Sequence, residues 1–202
     1  MIWPGEKDAW DIIRSLASKE IETNADAVFD PDTSTYKLTC LGQEVLVSLP
    51  DQEISCPSPL GAILVKELGE YSRLSILRHL IHAKALPLSG RLVKPSALPG
   101  GDFFSKGTHV LPLDTITNRF ENDFDGFIKI GKALGGTQVE YGDASLKLWP
   151  FPRIPVVIIL WAGDDEFPSA ASLLFDSTCV SHAAIDILWS TAMMTIEMML
   201  IP

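Results

Sequence analysis

The chain has few cysteines, and they are not grouped. Cys40, Cys56 and Cys179 are far apart, and no Cys-x-x-Cys pair occurs in the 202 residues. This argues against a self-contained zinc or iron–sulfur site built from thiolates and against a disulfide framework. An odd number of scattered cysteines suits a reducing compartment, so we expect a cytoplasmic protein.

Cations are also scarce. Lysine and arginine number 16 against 26 aspartates and glutamates, which gives a net charge of −10. Binding to duplex nucleic acid or to an anionic membrane surface needs a basic face, and this balance argues against both. Hydrophobic residues make up 47% of the chain, enough to bury a full core, and the length suits a single domain over residues 1–202.

No apolar run is free of charge over the length of a bilayer. The most hydrophobic segment, 183–201, is interrupted by Asp186 and Glu197, and its apolar residues follow helical spacing. It therefore predicts a core or subunit-interface helix rather than a membrane span, and a homo-oligomer is one consequence to consider. The chain's start lacks the basic and apolar pattern of a signal peptide, which again favours the cytoplasm.

Periodicity and turn residues predict an α+β fold in which a small antiparallel sheet packs with helices and the chain ends in an apolar helix. Ser58-Pro59 is a helix start, and Gly135 is a left-handed helix terminator. The predicted helices are 6–21, 59–69, 71–85, 113–121, 123–134 and 179–200, and the predicted strands are 36–41, 44–49, 137–141, 144–148 and 155–161.

One candidate site is acidic. The predicted strand 155–161 is followed by Asp164, Asp165 and Glu166. Clustered carboxylates can bind a hard cation, or one can remain protonated and act as an acid. The alternative is structural, because acids shortly before a helix often cap its first turn. The Asp-x-Asp-x-Asp-Gly pattern of a calcium-binding hand is absent.

The second candidate site is a loop rich in glycine and aromatic residues, Gly100-Gly-Asp-Phe-Phe-Ser-Lys-Gly-Thr-His-Val-Leu-Pro112. Gly101 would let the backbone approach a ligand, and Phe103 and Phe104 would line a flat one. His109 would then be the axial ligand of a tetrapyrrole metal. The alternative is a packing histidine in an ordered loop.

The remaining histidines and the known catalytic patterns offer less. His79 and His82 are three residues apart on a predicted helix, but no third ligand completes a metal set, and His182 is a weaker candidate. The Gly-x-Ser-x-Gly elbow, the P-loop and the Gly-x-Gly-x-x-Gly motif are absent, so no catalytic residue is assigned. The methionines of the last helix could form an adaptable partner surface, although core filling is the commoner role.

Five motifs in order resemble an uncharacterised family: Gly100-Gly-Asp-Phe-Phe, Leu134-Gly-Gly, Tyr141-Gly-Asp143, Trp161-Ala-Gly-Asp-Asp-Glu-Phe-Pro168 and Leu174-Phe-Asp176. That family is a domain of unknown function of anaerobic bacteria and archaea. Some of its members resemble fusions to an N-terminal iron–sulfur module of corrinoid-protein type. The resemblance implies a setting in anaerobic corrinoid or related metallocofactor metabolism, with a corrinoid or iron–sulfur protein as partner.

Three functions follow as hypotheses. The first is a non-catalytic cofactor-binding or accessory protein that holds a corrinoid or other tetrapyrrole through His109, or serves a protein that does. The second is a metal-dependent enzyme that uses Asp164, Asp165 and Glu166. The third is a protein-interaction module that uses the C-terminal helix.

Overall fold

The computed structural model describes residues 5–201, with Ser105 described by its backbone alone. Helices and two antiparallel sheets alternate along the chain, which confirms the α+β prediction. The helices are α1 (Glu6–Ser15), α2 (Ser18–Ala25), α3 (Pro59–Ala62), α4 (Gly69–His82), α5 (Leu113–Phe120), α6 (Phe124–Ala133) and α7 (Ile185–Leu200). The strands are β1 (Val28–Asp30), β2 (Thr35–Cys40), β3 (Gln43–Ser48), β4 (Glu53–Ser55), β5 (Leu92–Val93), β6 (Thr137–Gln138), β7 (Ala144–Phe151), β8 (Ile154–Trp161) and β9 (Ala170–Asp176).

The first sheet is a meander in the order β1-β2-β3-β4. Burial alternates along β2, so that Tyr36, Leu38 and Cys40 face the core, as period-two patterning requires. The predicted strands 36–41 and 44–49 are β2 and β3, which pair as a hairpin whose two turn residues are Leu41 and Gly42. Both turn residues have positive φ, 47° and 71°, as expected for a two-residue turn that matches strand twist.

The second sheet has the order β5-β9-β8-β7-β6. Its middle strand β8 is buried at every position except Trp161, because the sheet is covered on both faces at this point. The predicted strand 155–161 is therefore confirmed. The predicted hairpin 137–141 with 144–148 exists, but its first strand is only two residues long.

Several predicted helices differ from the observed ones. The predicted helix 6–21 is two helices, because Leu16 and Ala17 adopt extended backbone angles between α1 and α2. The predicted helix 59–69 consists of α3 and a π-helical turn over Ile63–Glu67. Ser58 caps α3 by accepting a hydrogen bond from the Gly61 N–H at 3.0 Å, and Gly135 has φ of 73° after α6, so both of these predictions are confirmed.

The C-terminal helix α7 is a core helix. It packs against α4, α5, α6 and β7. It begins at Ile185, later than the predicted 179, because residues 177–181 form a 3-10 turn instead. Its methionines have exposed fractions of 8% or less and therefore fill the interior, which is the commoner role of methionine. The methionines concerned are Met193, Met194, Met198 and Met199.

The two sheets meet at a backbone contact. The Leu41 N–H, in the β2–β3 turn, donates to the Trp149 carbonyl of β7 at 2.8 Å. Beside it, Gly42 lies against Gly135. A Cβ on Gly42 would stand 2.9 Å from the Gly135 nitrogen, and a Cβ on Gly135 would stand 2.9 Å from the Gly42 Cα. Only a pair of glycines permits this approach.

Between residues 5 and 201, none of the helices combines the length and the apolarity that crossing a membrane requires. Met1–Pro4 and Pro202 lie outside the described residues, so the ends of the predicted 1–202 domain and part of the segment on which the signal-peptide prediction rests lie outside them as well.

Candidate functional site

The glycine- and aromatic-rich segment 100–112, called the aromatic loop below, is an ordered part of the fold. Two 3-10 turns, Gly101–Ser105 and Gly107–His109, carry it across α7. The Trp189 indole N–H of α7 donates to the His109 carbonyl at 2.8 Å, which fixes the loop to the helix. The segment is therefore a structured loop rather than a linker.

His109 is held by aromatic rings. Its imidazole lies on Phe103 with ring centroids 3.9 Å apart and planes at 35°, and it meets Trp189 edge-on at 5.2 Å. Such contacts fix the orientation of the ring without using its nitrogen atoms, whose lone pairs and protons lie in the ring plane. His109 is half-buried, and within the described residues its imidazole makes no hydrogen bond.

Phe104 meets Phe103 edge-on, with ring centroids 6.2 Å apart, and is buried, with its ring 6.4 Å from that of Phe175 in β9. It also lines a cleft of about 230 Å³ together with apolar residues such as Val110, Leu111 and Leu173. Neither Phe103 nor His109 belongs to the lining of this cleft. The structure thus brings Phe103 and His109 into contact, but it separates His109 from the nearest apolar cavity.

Gly101 is required by the loop itself. A Cβ at this position would collide with the Pro95 carbonyl oxygen and with the Ser96 backbone. The close approach that the sequence assigned to a ligand is therefore an approach to the chain's own backbone. This explains the glycine without a bound molecule.

These residues do not form an enclosing pocket for a tetrapyrrole. Sites for drug-sized ligands occupy roughly 300–1,000 Å³, and the cleft is below that range. Metal-ligating histidines usually donate their second N–H to a carboxylate, carbonyl or water. No protein group among the described residues takes that role for His109. The residues fit a side chain offered at the surface, not a buried axial ligand.

The acidic cluster lies in the exposed loop 162–169, called the acidic loop below. The Asp164 carboxylate accepts the backbone N–H groups of Glu166 and Phe167 at 2.9 and 2.7 Å. These two bonds, the Phe167 one first, hold the pKa of Asp164 below its ordinary value. The prediction that the acids cap a helix is wrong, because the strand β9 follows; Asp164 instead closes a turn.

Asp165 and Glu166 are exposed and make no side-chain hydrogen bond in the described structure. Residues 5–201 contain no group of three or more histidine, cysteine or acidic side chains arranged to hold a metal ion. The acidic loop therefore has the shape of a turn, without an assembled ligand set.

A second acid, Asp176 at the end of β9, was noted in the sequence only as part of a family motif. It is 2% exposed, and its oxygens accept five hydrogen bonds from Ser89, Gly90 and Thr178, at 2.7–3.1 Å. Burial acts to raise its pKa, but the bonds from Thr178 and Ser89 outweigh it and lower the pKa to about 2. Sequence spacing gives no sign of this, because Ser89 is 87 residues away.

The remaining candidates are not brought together. His79 is fully buried whereas His82 is exposed, so the two do not share a face. All three cysteines are free, and burial raises the pKa of the Cys179 thiol to about 12, which removes its nucleophilic form at neutral pH.

Comparison with known families gives one result. The model of a family described as "Domain of unknown function (DUF3786)" matches residues 18–198, and the chain belongs to this family. No curated protein and no solved structure matches the chain.

Proposed function

We propose that this member of the DUF3786 family is a non-catalytic binding or accessory protein whose contact element is the aromatic loop. The single observation that supports this most is the fixed, half-exposed imidazole of His109, stacked on Phe103 and set against Trp189. Because the ring is already held in one orientation, binding would lose less conformational entropy on ordering it.

We further propose that the ligand is a corrinoid or other tetrapyrrole presented by a partner, such as a corrinoid or iron–sulfur protein. The partner version is preferred because His109 lies at the surface and does not line the cleft beside the aromatic loop, which at about 230 Å³ is too small to enclose a macrocycle. The ligand class rests on the family resemblance and on the imidazole, which is a common axial ligand of such metals. A cytoplasmic location belongs to the same proposal.

The metal-dependent enzyme has less support. The acidic loop uses one carboxylate for its own turn, and the described chain assembles no metal-ligand group around it. The interaction module loses its surface because the methionines of α7 are buried. The proposal that the aromatic loop is the contact element is therefore preferred over the metal-dependent enzyme and over the interaction module.

The test is an absorbance titration of the purified protein with cobalamin and with haemin, each added alone and in large excess. We expect a change of the visible spectrum with the wild-type protein and its loss in His109→Ala. His82→Ala is the matched control, because His82 is an exposed histidine outside the loop. An unchanged wild-type spectrum with both molecules, or a change that survives in His109→Ala, would contradict the tetrapyrrole proposal.

A further inference from the structure

Two histidines that the proposed function does not use are completely buried. His79 lies on α4, and His182 follows the 3-10 turn of residues 177–181; both have an exposed fraction of 0%. Each has one ring nitrogen without a hydrogen-bond partner, Nδ1 of His79 and Nε2 of His182. In the part of the chain that the structure describes, these are the two buried side-chain atoms left unpaired. Buried polar atoms are nearly always paired, so both require an explanation.

The other ring nitrogen of each histidine fixes its tautomer. His79 Nε2 lies 3.1 Å from the Ala25 carbonyl oxygen, which can only accept, so Nε2 carries the proton and Nδ1 is a lone-pair acceptor. His182 Nδ1 receives the Lys84 backbone N–H at 3.2 Å, which can only donate, so the proton lies on Nε2. The unpaired atoms are therefore one acceptor and one donor.

The two rings belong to the same junction. The Ala83 N–H donates to the carbonyl of His79 itself, and the next backbone N–H, that of Lys84, donates to the His182 ring. The His79 ring also stacks on Phe151 of β7, with centroids 4.7 Å apart and planes at 12°. The rings form no direct hydrogen bond with each other, since both atoms are left unpaired.

Both rings are neutral at pH 7. Burial lowers the pKa of His79 to about 3; the hydrogen bond to the Ala25 carbonyl opposes this shift, and electrostatic repulsion by His182 and Arg153 adds to it. Burial also lowers the pKa of His182. Arg153 and Lys84 act in the same direction, and Asp176 acts against them. A neutral pair can exchange hydrogen bonds without burying a charge.

We propose that one internal water molecule bridges the pair, accepting the proton of His182 Nε2 and donating to His79 Nδ1. Water is the smallest ligand that offers a donor and an acceptor together, and buried waters typically satisfy otherwise unpaired groups in this way. A metal ion does not fit, because it needs a lone pair from each ring and His182 offers a proton instead. The bridge joins the end of α4 to the segment that follows β9.

The first test is nuclear magnetic resonance of the wild-type protein labelled with nitrogen-15, at neutral pH. Long-range proton–nitrogen correlations should show the Nε2-protonated tautomer at both His79 and His182. The His182 ring proton should be protected from exchange and should show a cross-relaxation peak to a long-lived water. The opposite tautomer at either ring, or a protected proton without a water contact, would overturn the proposal.

The second test is a double-mutant cycle of His79→Phe and His182→Phe, followed by urea unfolding. Each single change leaves the other ring unpaired, whereas the double change removes both polar atoms. The increase in the unfolding equilibrium constant of the double variant should therefore be about tenfold smaller than the product of the two single increases. His82→Phe serves as the exposed control. Independent effects of the two changes would contradict the bridge, and if a variant does not fold, the spectrum of the wild-type protein decides.

Discussion

Two neighbouring strands of the second sheet end in acids, and the two ends are built differently. After β8 the chain enters the acidic loop, where the carboxylates are exposed and Asp164 accepts two bonds from its own turn. At the end of β9 a single acid, Asp176, is buried and accepts five bonds, three of which come from Ser89 and Gly90. The sequence draws attention to the first end, and the structure places the stronger interaction at the second.

The comparison shows that the number of acids at a strand end is a poor guide to their importance. A buried carboxylate must have its oxygens satisfied, so removing it leaves donors unpaired in the interior. An exposed carboxylate exchanges its bonds with water at little cost. The Asp176 carboxylate ties the segment before β5 to the end of β9, whereas the Asp164 carboxylate accepts bonds only from residues of its own turn.

The largest effect is expected from Asp176→Asn. An amide supplies one acceptor oxygen in place of two, and its NH2 group faces the Gly90 N–H when the remaining oxygen stays with Ser89 and Thr178. We expect a loss of about 3 kcal/mol in the free energy of unfolding. The measurement is urea unfolding, with Asp165→Asn as the matched control in the acidic loop. Equal stability of the two variants would erase the distinction between the strand ends.

An intermediate effect is expected from pH. The folded-state pKa of Asp176 is lowered to about 2, so its contribution is complete above about pH 4 and is lost as the pH falls from there towards 2. The folded-state pKa of His79 is lowered to about 3, so its contribution is complete above about pH 6.5 and declines as the pH falls through that value.

Unfolding measured between pH 7 and pH 2 should therefore show two overlapping windows of declining stability, from about pH 6.5 towards 3 for His79 and from about pH 4 towards 2 for Asp176. Asp176→Asn should lose the lower window and keep the upper one. An unchanged slope below pH 4 in this variant would show that the acid is not the origin of the lower window.

The smallest effect is expected from the acidic loop. Asp164→Asn should increase hydrogen exchange at the Phe167 amide with little change in the unfolding midpoint, because its bonds are local and exposed. Asp165→Asn and Glu166→Gln should leave both unchanged. Since no metal-ligand group is assembled in the described chain, magnesium, manganese and calcium should not raise the melting temperature of the wild-type protein. A rise that Asp165→Asn removes would restore the metal hypothesis.

Much of the fold could be predicted because its signals are local. Apolar spacing located most of the helices, and the continuous apolar run located β8. Strand β9 was not predicted, because Ala170, Ala171 and Ser172 give it no clear alternation in its first half. The break between α1 and α2 was missed for the opposite reason, since apolar spacing continues through Leu16 and Ala17 although the backbone does not.

The candidate sites were less predictable, because their meaning depends on distant residues. The sequence indicated a ligand contact at Gly101, whereas in the structure the Pro95 backbone lies against this glycine. The sequence indicated no partner for Asp176, because Ser89, which donates to it, lies 87 residues earlier in the chain. The contact between His109 and Phe103 follows from the compactness of the loop. Trp189, which donates a hydrogen bond to the His109 carbonyl, is 80 residues away in the sequence. Single-sequence patterns do not contain such pairings.

The contact between Gly42 and Gly135 has a consequence for how this fold can vary. Each glycine contacts backbone atoms rather than a side chain. A Cβ at either position would therefore collide with backbone, and no second substitution could relieve the collision by making a neighbouring side chain smaller. Both also have positive φ, which adds a cost for any other residue. In a library of random variants, positions 42 and 135 should therefore accept no replacement, singly or together, and the distance between the β2–β3 turn and the end of α6 should be fixed.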